Sequence, residues 1–572
     1  MIKALLIILT NLLVISLSAQ NFQWAKAFKA GFSSDVHSDA ITIDASGNIY
    51  SSGYFQGTAD FNPGSGVYNL VSSSPTSYHD GFISKLNSSG AFVWAKHIGG
   101  TGYVNQTSIV TDHLGNIFIA GCFSGTIDFD PGVATDSLTS TDSNYDIFIL
   151  KLDTAGNFIW VQTFGDYNYN DRIAAIVADA NNNIYAAGNF SGTIDFDSGS
   201  GVSILTSLAD SSFILKLNNS GNFMWVKGLG TDYLYSIRLD AMANIYTSGE
   251  FYGTIDFDPD PVGVDTLNSS IGGGQAICKF DSLGHHVWAK NIGAKNQLTS
   301  GFSIGVDGAG NVYTSGFFQG YADFDSGAAT YTIACNGVQD IFISKLTTNG
   351  SFVWAKTFAG GGSGGLTSYA SAVNYQGDIH IAGMFYGTVD FSPGSPSSTV
   401  TSGANQNTFI LKLNSSGNFD WVRSITGYGV VRDESMTLDP SGYVYTAGTY
   451  ETSSNFDPGF SNYTLTNGSA IGTSSYILKL NSVSTVGLND IIMPVDKLIT
   501  IYPNPNNGNF NIISKEKMNL TIVDNLGQIV QSVDLVEANG FQQTLQINTS
   551  GVYYISGVTE QSSTQQKIIV TK

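Results

Sequence analysis

The sequence predicts an all-β fold, and three observations support this. Charged residues make up only 12% of the 572-residue chain, whereas it contains 65 glycines and 12% aromatic residues. Short alternating apolar and polar runs are separated by turn sequences such as DHLGN and NSSG, and no run has helical periodicity. One sequence pattern recurs along most of the chain, which is typical of repeat architectures.

Three sets of residues recur in step, and each set has seven members. The tryptophans are Trp24, Trp94, Trp160, Trp225, Trp288, Trp354 and Trp421. Phenylalanine follows Asp60, Asp128, Asp195, Asp256, Asp323, Asp390 and Asn455. The repeat lysines are Lys85, Lys151, Lys216, Lys279, Lys345, Lys412 and Lys479. We therefore predict seven repeats. In each, the tryptophan should pack on a neighbouring unit, and the lysine should pair with repeat acids.

Each repeat reads as four strands joined by turns. In the unit that begins at Asp39 the strands are AITID, NIYSSGYF, FISKLN and FVWAKHI. Four-stranded units repeated in this way indicate a β-propeller, with an open solenoid as the alternative. The segment FQWAKAF precedes the first unit, and the last unit ends at Asn481 without a tryptophan strand. The N-terminal strand should therefore complete the last blade and close a seven-bladed ring over residues 20–481.

The motifs DxxGNIYxxGxF, FIxKLNxxG and WAK resemble the SBBP-type β-propeller repeat of secreted bacterial proteins. The resemblance extends over about residues 21–481. It implies a propeller, but it carries no assigned catalytic residues and no defined ligand.

The N-terminus has the layout of a secretory signal peptide, which we place at residues 1–19. Lys3 is followed by an apolar run from Ala4 to Leu17 and by the small residues Ser18 and Ala19. The alternative is a retained membrane anchor, although the run is short for a bilayer span. No other segment resembles a transmembrane helix. The net charge of −21 argues against a nucleic-acid partner, because phosphate binding needs clustered Lys and Arg.

After a linker at residues 482–497, residues 498–572 alternate like a small antiparallel Ig-like β-sandwich. They resemble the type A C-terminal sorting domain of type IX secretion substrates in Bacteroidetes. The matching residues are Tyr502, Pro503, Asn504, Pro505, Gly508, Phe510, Gly527, Gly551 and Tyr553. The resemblance implies that the type IX translocon and a surface sortase are partners. The protein would cross the periplasm and then be released or held at the outer-membrane cell surface.

Any ligand site should lie on one face of the propeller. The first–second and third–fourth turns are minimal hairpins, whereas the second–third and interblade loops are long, acidic and rich in tyrosine. Variable loops on a rigid scaffold are where binding residues concentrate. The candidate ligand-binding residues are Tyr103, Tyr167, Tyr169, Tyr233, Tyr235 and Tyr428.

A repeated Asp-x-Asp pattern in the second–third loops raises the question of Ca²⁺, which binds six to eight oxygen ligands. Its residues are Asp128, Asp130, Asp195, Asp197, Asp256, Asp258, Asp323 and Asp325. The pattern lacks the fuller ladder of recognised calcium loops, so a turn-capping role is the alternative. We predict no other cofactor.

Three functions fit these observations. The first is an exported binding or adhesion propeller whose ligand is a glycan or a surface protein. The second is an extracellular polysaccharide hydrolase or lyase with its site at the mouth of the channel, although the sequence assigns no catalytic residues. The third is a passive structural surface component.

Overall fold

The computed structural model describes residues 22–73, 78–167, 169–260, 262–269, 273–294, 298–327, 329–359, 365–392, 397–402, 405–427, 430–457, 462–467, 472–481, 499–502, 508–514, 517–523, 529–536, 541–558 and 563–570. One compact unit spans Ala19–Ser484, and Thr485–Lys572 belongs to a second. The predicted signal peptide and the predicted linker lie outside the described residues, and the predicted domain bounds stay predictions.

The described residues form strands and turns, and none of them forms a helix of the length and apolar character that a membrane span requires. The strands before the fourth repeat are β1 (Phe22–Ala30), β2 (Asp35–Ile43), β3 (Ile49–Gln56), β4 (Thr58–Asp60), β5 (Asn69–Val71), β6 (Asp80–Leu86), β7 (Phe92–Gly100), β8 (Val104–Thr111), β9 (Ile117–Phe123), β10 (Thr126–Asp128), β11 (Ser137–Thr139), β12 (Asp146–Leu152), β13 (Phe158–Phe164), β14 (Arg172–Ala178), β15 (Ile184–Asp195), β16 (Ile204–Leu217) and β17 (Phe223–Leu229).

The later propeller strands are β18 (Tyr233–Leu239), β19 (Ile245–Phe251), β20 (Thr254–Asp256), β21 (Thr266–Asn268), β22 (Gly274–Phe280), β23 (His286–Ala294), β24 (Thr299–Val306), β25 (Val312–Phe318), β26 (Tyr321–Asp323), β27 (Thr332–Ala334), β28 (Asp340–Leu346), β29 (Phe352–Ala359), β30 (Leu366–Val373), β31 (Ile379–Phe385), β32 (Thr388–Asp390), β33 (Thr399–Thr401), β34 (Asn407–Leu413), β35 (Phe419–Gly427), β36 (Val431–Leu438), β37 (Tyr443–Tyr450), β38 (Ser453–Asn455), β39 (Thr464–Thr466) and β40 (Ser474–Asn481).

Each repeat forms one four-stranded antiparallel ladder. In chain order, ladders 1 to 7 are β2-β3-β6-β7, β8-β9-β12-β13, β14-β15-β16-β17, β18-β19-β22-β23, β24-β25-β28-β29, β30-β31-β34-β35 and β36-β37-β40-β1. The first strand of each ladder contacts the first strand of the next, and β36 contacts β2, so the circuit closes on itself. The prediction of an all-β propeller is confirmed.

The N-terminal strand completes the last ladder, as the sequence predicts. In the antiparallel pairing of β1 with β40, Trp24 lies opposite Lys479 and Ala27 lies opposite Tyr476. Because these residues come from the two ends of the propeller segment, hydrogen bonds and packing, not a covalent connection, hold the ring closed at this ladder.

The repeat tryptophans lie on the outer strands and contact the following ladder. A Cβ atom built on Gly156, in the third–fourth turn of ladder 2, would lie 3.2 Å from the ring of Trp94 in ladder 1. Gly156 has a φ of 77°, so glycine at this turn permits both the left-handed backbone and the close approach of the indole. The predicted packing of tryptophan between neighbouring units is confirmed at this junction.

Most of the repeat lysines bond a backbone carbonyl of the next ladder, a contact that the sequence did not predict. In ladder 4, Lys279 Nζ and Trp288 Nε1 both donate to the carbonyl oxygen of Thr348, at 3.2 and 3.1 Å. The same Nζ atom lies 5.0 Å from the ring centroid of Tyr246. The equivalent lysine-to-carbonyl bonds are Lys85 to Thr154, Lys151 to Asn219, Lys216 to Ser282 and Lys345 to Ser415.

Among the described residues, two repeat lysines form ion pairs with acids as predicted. The Nζ of Lys345 lies 3.8 Å from Asp307 Oδ2, and Lys412 of ladder 6 pairs with two acids. Its Nζ lies 2.9 Å from Asp420 Oδ2 and 3.3 Å from Asp378 Oδ2. Ladder 7 has no third–fourth turn, because its fourth strand is β1. The turn carbonyl that the other ladders provide is therefore missing at this junction, and carboxylates neutralise the cation instead.

The Asp-Phe loops form short ribbons that reach the preceding ladder. Ribbon strand β4 pairs with β1, where Asp60 lies opposite Lys29, and β10 pairs with β7, where Asp128 lies opposite Gly99. Phe61 and Phe129, which follow the two aspartates, are fully buried. These loops therefore connect neighbouring ladders, so part of the face that carries the long loops has a structural role.

The C-terminal unit has seven described strands in two sheets. They are β41 (Ile499–Tyr502), β42 (Asn509–Ser514), β43 (Met518–Val523), β44 (Ile529–Leu535), β45 (Gln542–Gln546), β46 (Gly551–Val558) and β47 (Ser563–Val570). The sheets have the orders β41-β42-β45 and β44-β43-β46-β47. Phe510 and Ile512 from one sheet share a buried cluster with Ile522 and Ile555 from the other. The finer assignment to an Ig-like sandwich stays a prediction.

Candidate functional site

A ring of β-bulges surrounds the centre of the propeller. In every first strand the pairing register slips by one residue at the same place, as between Ser38 and Ala40 or between Leu234 and Ser236. A bulge leaves one residue unpaired and redirects its side chain. The residues skipped in ladders 1 to 7 are Asp39, Thr107, Ala174, Tyr235, Phe302, Tyr369 and Glu434, and we call them the bulge ring.

All members of the bulge ring line one cavity of about 300 Å³. The residues that follow each bulge are small, being alanine or serine in every ladder, as in Ala40 and Ser236. The bulge residues themselves include acids, aromatic residues and two small side chains. The backbone bulge is thus the same in every ladder, but the side chain at the bulge changes from ladder to ladder. The wall of the cavity is therefore divided into sectors of different chemistry.

An aromatic sector spans ladders 4 to 6. The ring centroids of Tyr235 and Phe302 are 5.2 Å apart, and those of Phe302 and Tyr369 are 6.5 Å apart. The hydroxyl of Tyr235 donates to Glu250 Oε2 over 3.0 Å, and Ser300 Oγ donates to the same oxygen over 3.3 Å. The hydrogen bond to the buried Glu250 orients Tyr235, whose side chain lines the cavity.

An acidic sector lies on ladders 7 and 1, whose first strands are neighbours. Burial and the carboxylate of Glu434 raise the pKa of Asp39 well above its usual range. Burial also raises the pKa of Glu434, and the guanidinium of Arg432, with its Nε 3.6 Å from Glu434 Oε1, opposes this effect. The Oδ2 atom of Asp39 is buried and has no hydrogen-bond partner among the described residues. The carboxylate of Glu434 therefore opposes ionisation of Asp39 in the same cavity.

A stack of rings leads from the acidic sector toward the loops. His37 and Tyr54 stack at 4.5 Å between centroids, and Tyr54 and His79 stack at 4.8 Å. Tyr103 meets His79 edge-on at 5.9 Å. Burial is the main cause that lowers the pKa of His37 to about 4, so the imidazole is neutral near pH 7. Burial and the carboxylate of Asp39 raise the pKa of Tyr54 to about 12.

The predicted ligand-binding tyrosines occupy three places. Tyr103 belongs to the stack just described, while Tyr235 lines the cavity and Tyr233 stacks on it at 6.5 Å between centroids. Tyr167 and Tyr169 are exposed in the loop between β13 and β14. Tyr428 lies outside the described residues. The structure thus brings Tyr233 and Tyr235 together and keeps the loop tyrosines off the cavity wall.

The predicted calcium ligands accept backbone hydrogen bonds within their own loops. Asp128 Oδ1 accepts the amides of Asp130 and Asp136, at 3.1 and 2.9 Å, and Asp130 Oδ1 accepts the amide of Gly132 at 2.7 Å. The same arrangement recurs at Asp195, Asp197, Asp256, Asp258, Asp323 and Asp325. Among the described residues no group of three or more His, Cys, Asp or Glu side chains could hold a metal ion. Calcium binding stays a prediction.

Part of the predicted sorting signal lies inside the C-terminal core. Phe510 is 1% exposed and Tyr553 is 5% exposed, and the hydroxyl of Tyr553 lies 2.7 Å from Thr549 Oγ1. Gly508 has a φ of 104°, which favours glycine, and its carbonyl accepts the amide of Ile547 at 2.8 Å. Gly551 begins β46 and Tyr502 ends β41. Pro503, Asn504, Pro505 and Gly527 lie outside the described residues.

Residues 500–571 match the family described as the secretion system C-terminal sorting domain. This segment is a type IX sorting domain. The prediction of a type IX sorting domain is confirmed, and the sorting domain implies that the protein is secreted or displayed at the cell surface.

Comparisons of the rest of the chain give two further similarities. An uncharacterized WD repeat-containing protein, L264 of Acanthamoeba polyphaga mimivirus, is 24% identical over 239 residues, which cover 36% of this chain and 17% of that protein. The chain thus spans a small part of that relative's length. The solved structure of the Dos1 propeller has a TM-score of 0.37 and 8% identity, with 82% of this chain and 97% of that chain covered.

Sequence reasoning missed most of the bulge ring and Arg238, which lines the same cavity. Of the seven bulge residues, only Tyr235 is among the predicted site residues. A signal was present, because aligning the first strands of the repeats shows one column that changes chemistry beside a column of alanine and serine. The sequence alone does not show which of these two positions lines the cavity. The register of the bulges does, because it identifies the unpaired residue in each first strand.

Proposed function

We propose that the protein is an exported seven-bladed propeller that binds a carbohydrate in its central cavity and is delivered by its sorting domain through the type IX translocon and a surface sortase. The seven ladders would be the blades of one ring, a proposal supported by the closed circuit of first strands. A signal peptide at residues 1–19 would start the route, and SBBP-type repeats would form the cargo.

The bulge ring carries this proposal. Carbohydrates present flat apolar faces edged by hydroxyl groups, and aromatic rings with nearby carboxyl groups can bind both features. Tyr235, Phe302 and Tyr369 offer ring surfaces, while Asp39 and Glu434 offer hydrogen-bonding groups in the same cavity. A volume of about 300 Å³ is at the lower end of small-ligand sites, so one or two sugar rings would be held.

A glycan-array screen of the full chain tests the proposal. We expect binding that Phe302→Ala weakens about tenfold, because aromatic contacts in a cavity contribute about a kcal/mol or more. Tyr375→Ala is the matched control, since Tyr375 is 78% exposed and lies in a first–second turn away from the bulge ring. Absence of any glycan ligand, or equal losses in both variants, would contradict the proposal and favour a passive surface component.

The paired carboxyl groups favour a second function, an extracellular hydrolase or lyase. Two acids with different environments in one cavity can serve as general acid and base in glycoside cleavage. Asp39→Asn and Glu434→Gln should then each abolish the release of new sugar ends while leaving sugar binding in place. Binding without any turnover by the unchanged protein would exclude this function for the sugars tested.

A further inference from the structure

Ladder 4 places a cation where no other ladder has one. Three residues after each bulge the other ladders carry Thr42, Val110, Val177, Gly305, Ala372 and Thr437. Ladder 4 carries Arg238, which lines the same cavity as the bulge ring. The other six residues at this position are small or medium-sized and uncharged, so the fold does not require an arginine here. Arg238 therefore indicates a role other than building the propeller.

Arg238 has no counter-charge among the residues that the structure describes. Its Nη1 donates to the carbonyl oxygen of Ile237 over 2.8 Å, which is the sole hydrogen bond of the guanidinium among the described residues. No carboxylate oxygen of those residues lies within ion-pair distance, whereas Arg432 near the acidic sector has Glu434. Burial lowers the pKa of Arg238, yet a guanidinium stays charged at neutral pH.

A half-buried cation without a partner is unfavourable, because it loses hydration and gains little in return. Replacing the arginine with an apolar residue would remove this cost. A ligand that carries a negative charge would supply the missing partner. A planar guanidinium suits a carboxylate, since two parallel N–H bonds can form.

We propose that the cavity binds sugars that carry a carboxylate, uronic acids, with Arg238 pairing with the carboxylate beside the aromatic sector. This inference rests on the proposed carbohydrate-binding function. Tyr235, three residues before Arg238 on the same strand, and Phe302 on the next ladder provide the ring surface for the pyranose. Asp39 and Glu434 lie on ladders 1 and 7, across the circuit from ladder 4, so they would meet the hydroxyl edge of the sugar.

Digalacturonate and its methyl ester are matched probes, because they differ in charge and share the sugar rings. We expect isothermal titration of the full chain to show at least about tenfold tighter binding of the acid, as a charge-assisted hydrogen bond contributes. Arg238→Met should abolish this preference and leave binding of the ester unchanged. Arg172→Met is the control, since it removes one exposed arginine of ladder 3 that does not line the cavity.

The other possible outcomes of these experiments each contradict either the inference about Arg238 or the proposed function. Equal binding of acid and ester by the unchanged protein, or an intact preference in the Arg238→Met protein, would overturn the inference and leave carbohydrate binding standing. Preference for a sulfated disaccharide over digalacturonate would overturn the carboxylate assignment. Failure of every sugar to bind would instead overturn the proposed function. A melting temperature lowered by Arg238→Met would identify a structural arginine and contradict the inference, because removal of an unpaired cation should leave stability equal or higher.

Discussion

Trp24 lies opposite Lys479 in the ladder that joins the two ends of the propeller segment. The Nζ of Lys479 also lies 4.9 Å from the ring centroid of Tyr445, and the ring of Trp24 meets Tyr445 edge-on at 6.3 Å. One cation and two rings from three strands thus secure a junction that the chain does not close covalently.

Removal of Phe22–Ala30 should open the ring and lower the melting temperature, because β40 loses its outer partner. A synthetic peptide of the same nine residues should restore the lost stability when it is added in excess, as a ligand of the folded state does. Thermal unfolding followed by circular dichroism measures both effects. A truncated protein as stable as the full chain would contradict the non-covalent closure.

Lys279→Met should destabilise the protein by about 1–2 kcal/mol, because it removes a hydrogen bond to the next ladder and the cation above Tyr246. Methionine retains most of the apolar stem. The measurement is chemical denaturation, and Lys29→Met serves as control because Lys29 is exposed. An equal, small effect for both variants would mean that the interladder bond contributes nothing.

His380→Phe should remove an acid sensitivity from the fold. Burial and the nearby Lys412 ammonium lower the pKa of His380 to about 3, from an ordinary value of 6.5. Between about pH 3 and pH 6.5 the unfolded chain therefore binds a proton at this position and the folded chain does not. The free energy of unfolding is highest above pH 6.5 and falls as the pH drops below it. The slope is about 1.4 kcal/mol per pH unit for one group.

Phenylalanine is the residue that ladder 2 has at the equivalent position, Phe118. Denaturation of the unchanged protein and of the variant at several pH values between 3 and 7 gives the difference. If that difference is independent of pH, the assigned protonation of His380 is wrong.

Deletion of Leu498–Lys572 should leave the propeller folded but trapped in the periplasm. The two units are separately compact, and the deleted one carries the match to the sorting domain. Fractionation of cells that express the truncated form locates the protein, and circular dichroism checks its fold. Normal amounts at the cell surface would show that export does not depend on this domain.

Calcium chelation should leave the melting temperature unchanged if the paired aspartates only cap their loops. Asp128→Ala would still destabilise the protein by about 1 kcal/mol or more, because the amides of Asp130 and Asp136 lose their acceptor. A melting temperature that rises with added Ca²⁺, and no longer does so in the variant, would establish the alternative of a metal site.

The sequence predicted the fold well because the residues that build it recur. Tryptophan, lysine and the Asp-Phe pair each mark one place in every repeat, and the unpaired FQWAKAF segment indicated how the ring closes. The cavity was harder to predict, since a bulge at Asp39 or Glu434 shifts which residue faces the axis and leaves no mark in hydrophobic alternation. That no carboxylate of the described residues pairs with Arg238 likewise depends on distances in the folded protein, which the spacing of residues along the chain does not reveal.

The borrowed outer strand has a consequence for the timing of export. The ring needs β1 and β40 together, so no shorter product of synthesis contains a finished propeller. The sorting domain follows β40 in the chain and is therefore translated after the last piece that the ring requires. A chain that carries the sorting domain therefore already contains every strand of the propeller, so export through this domain is restricted to chains whose propeller sequence is complete.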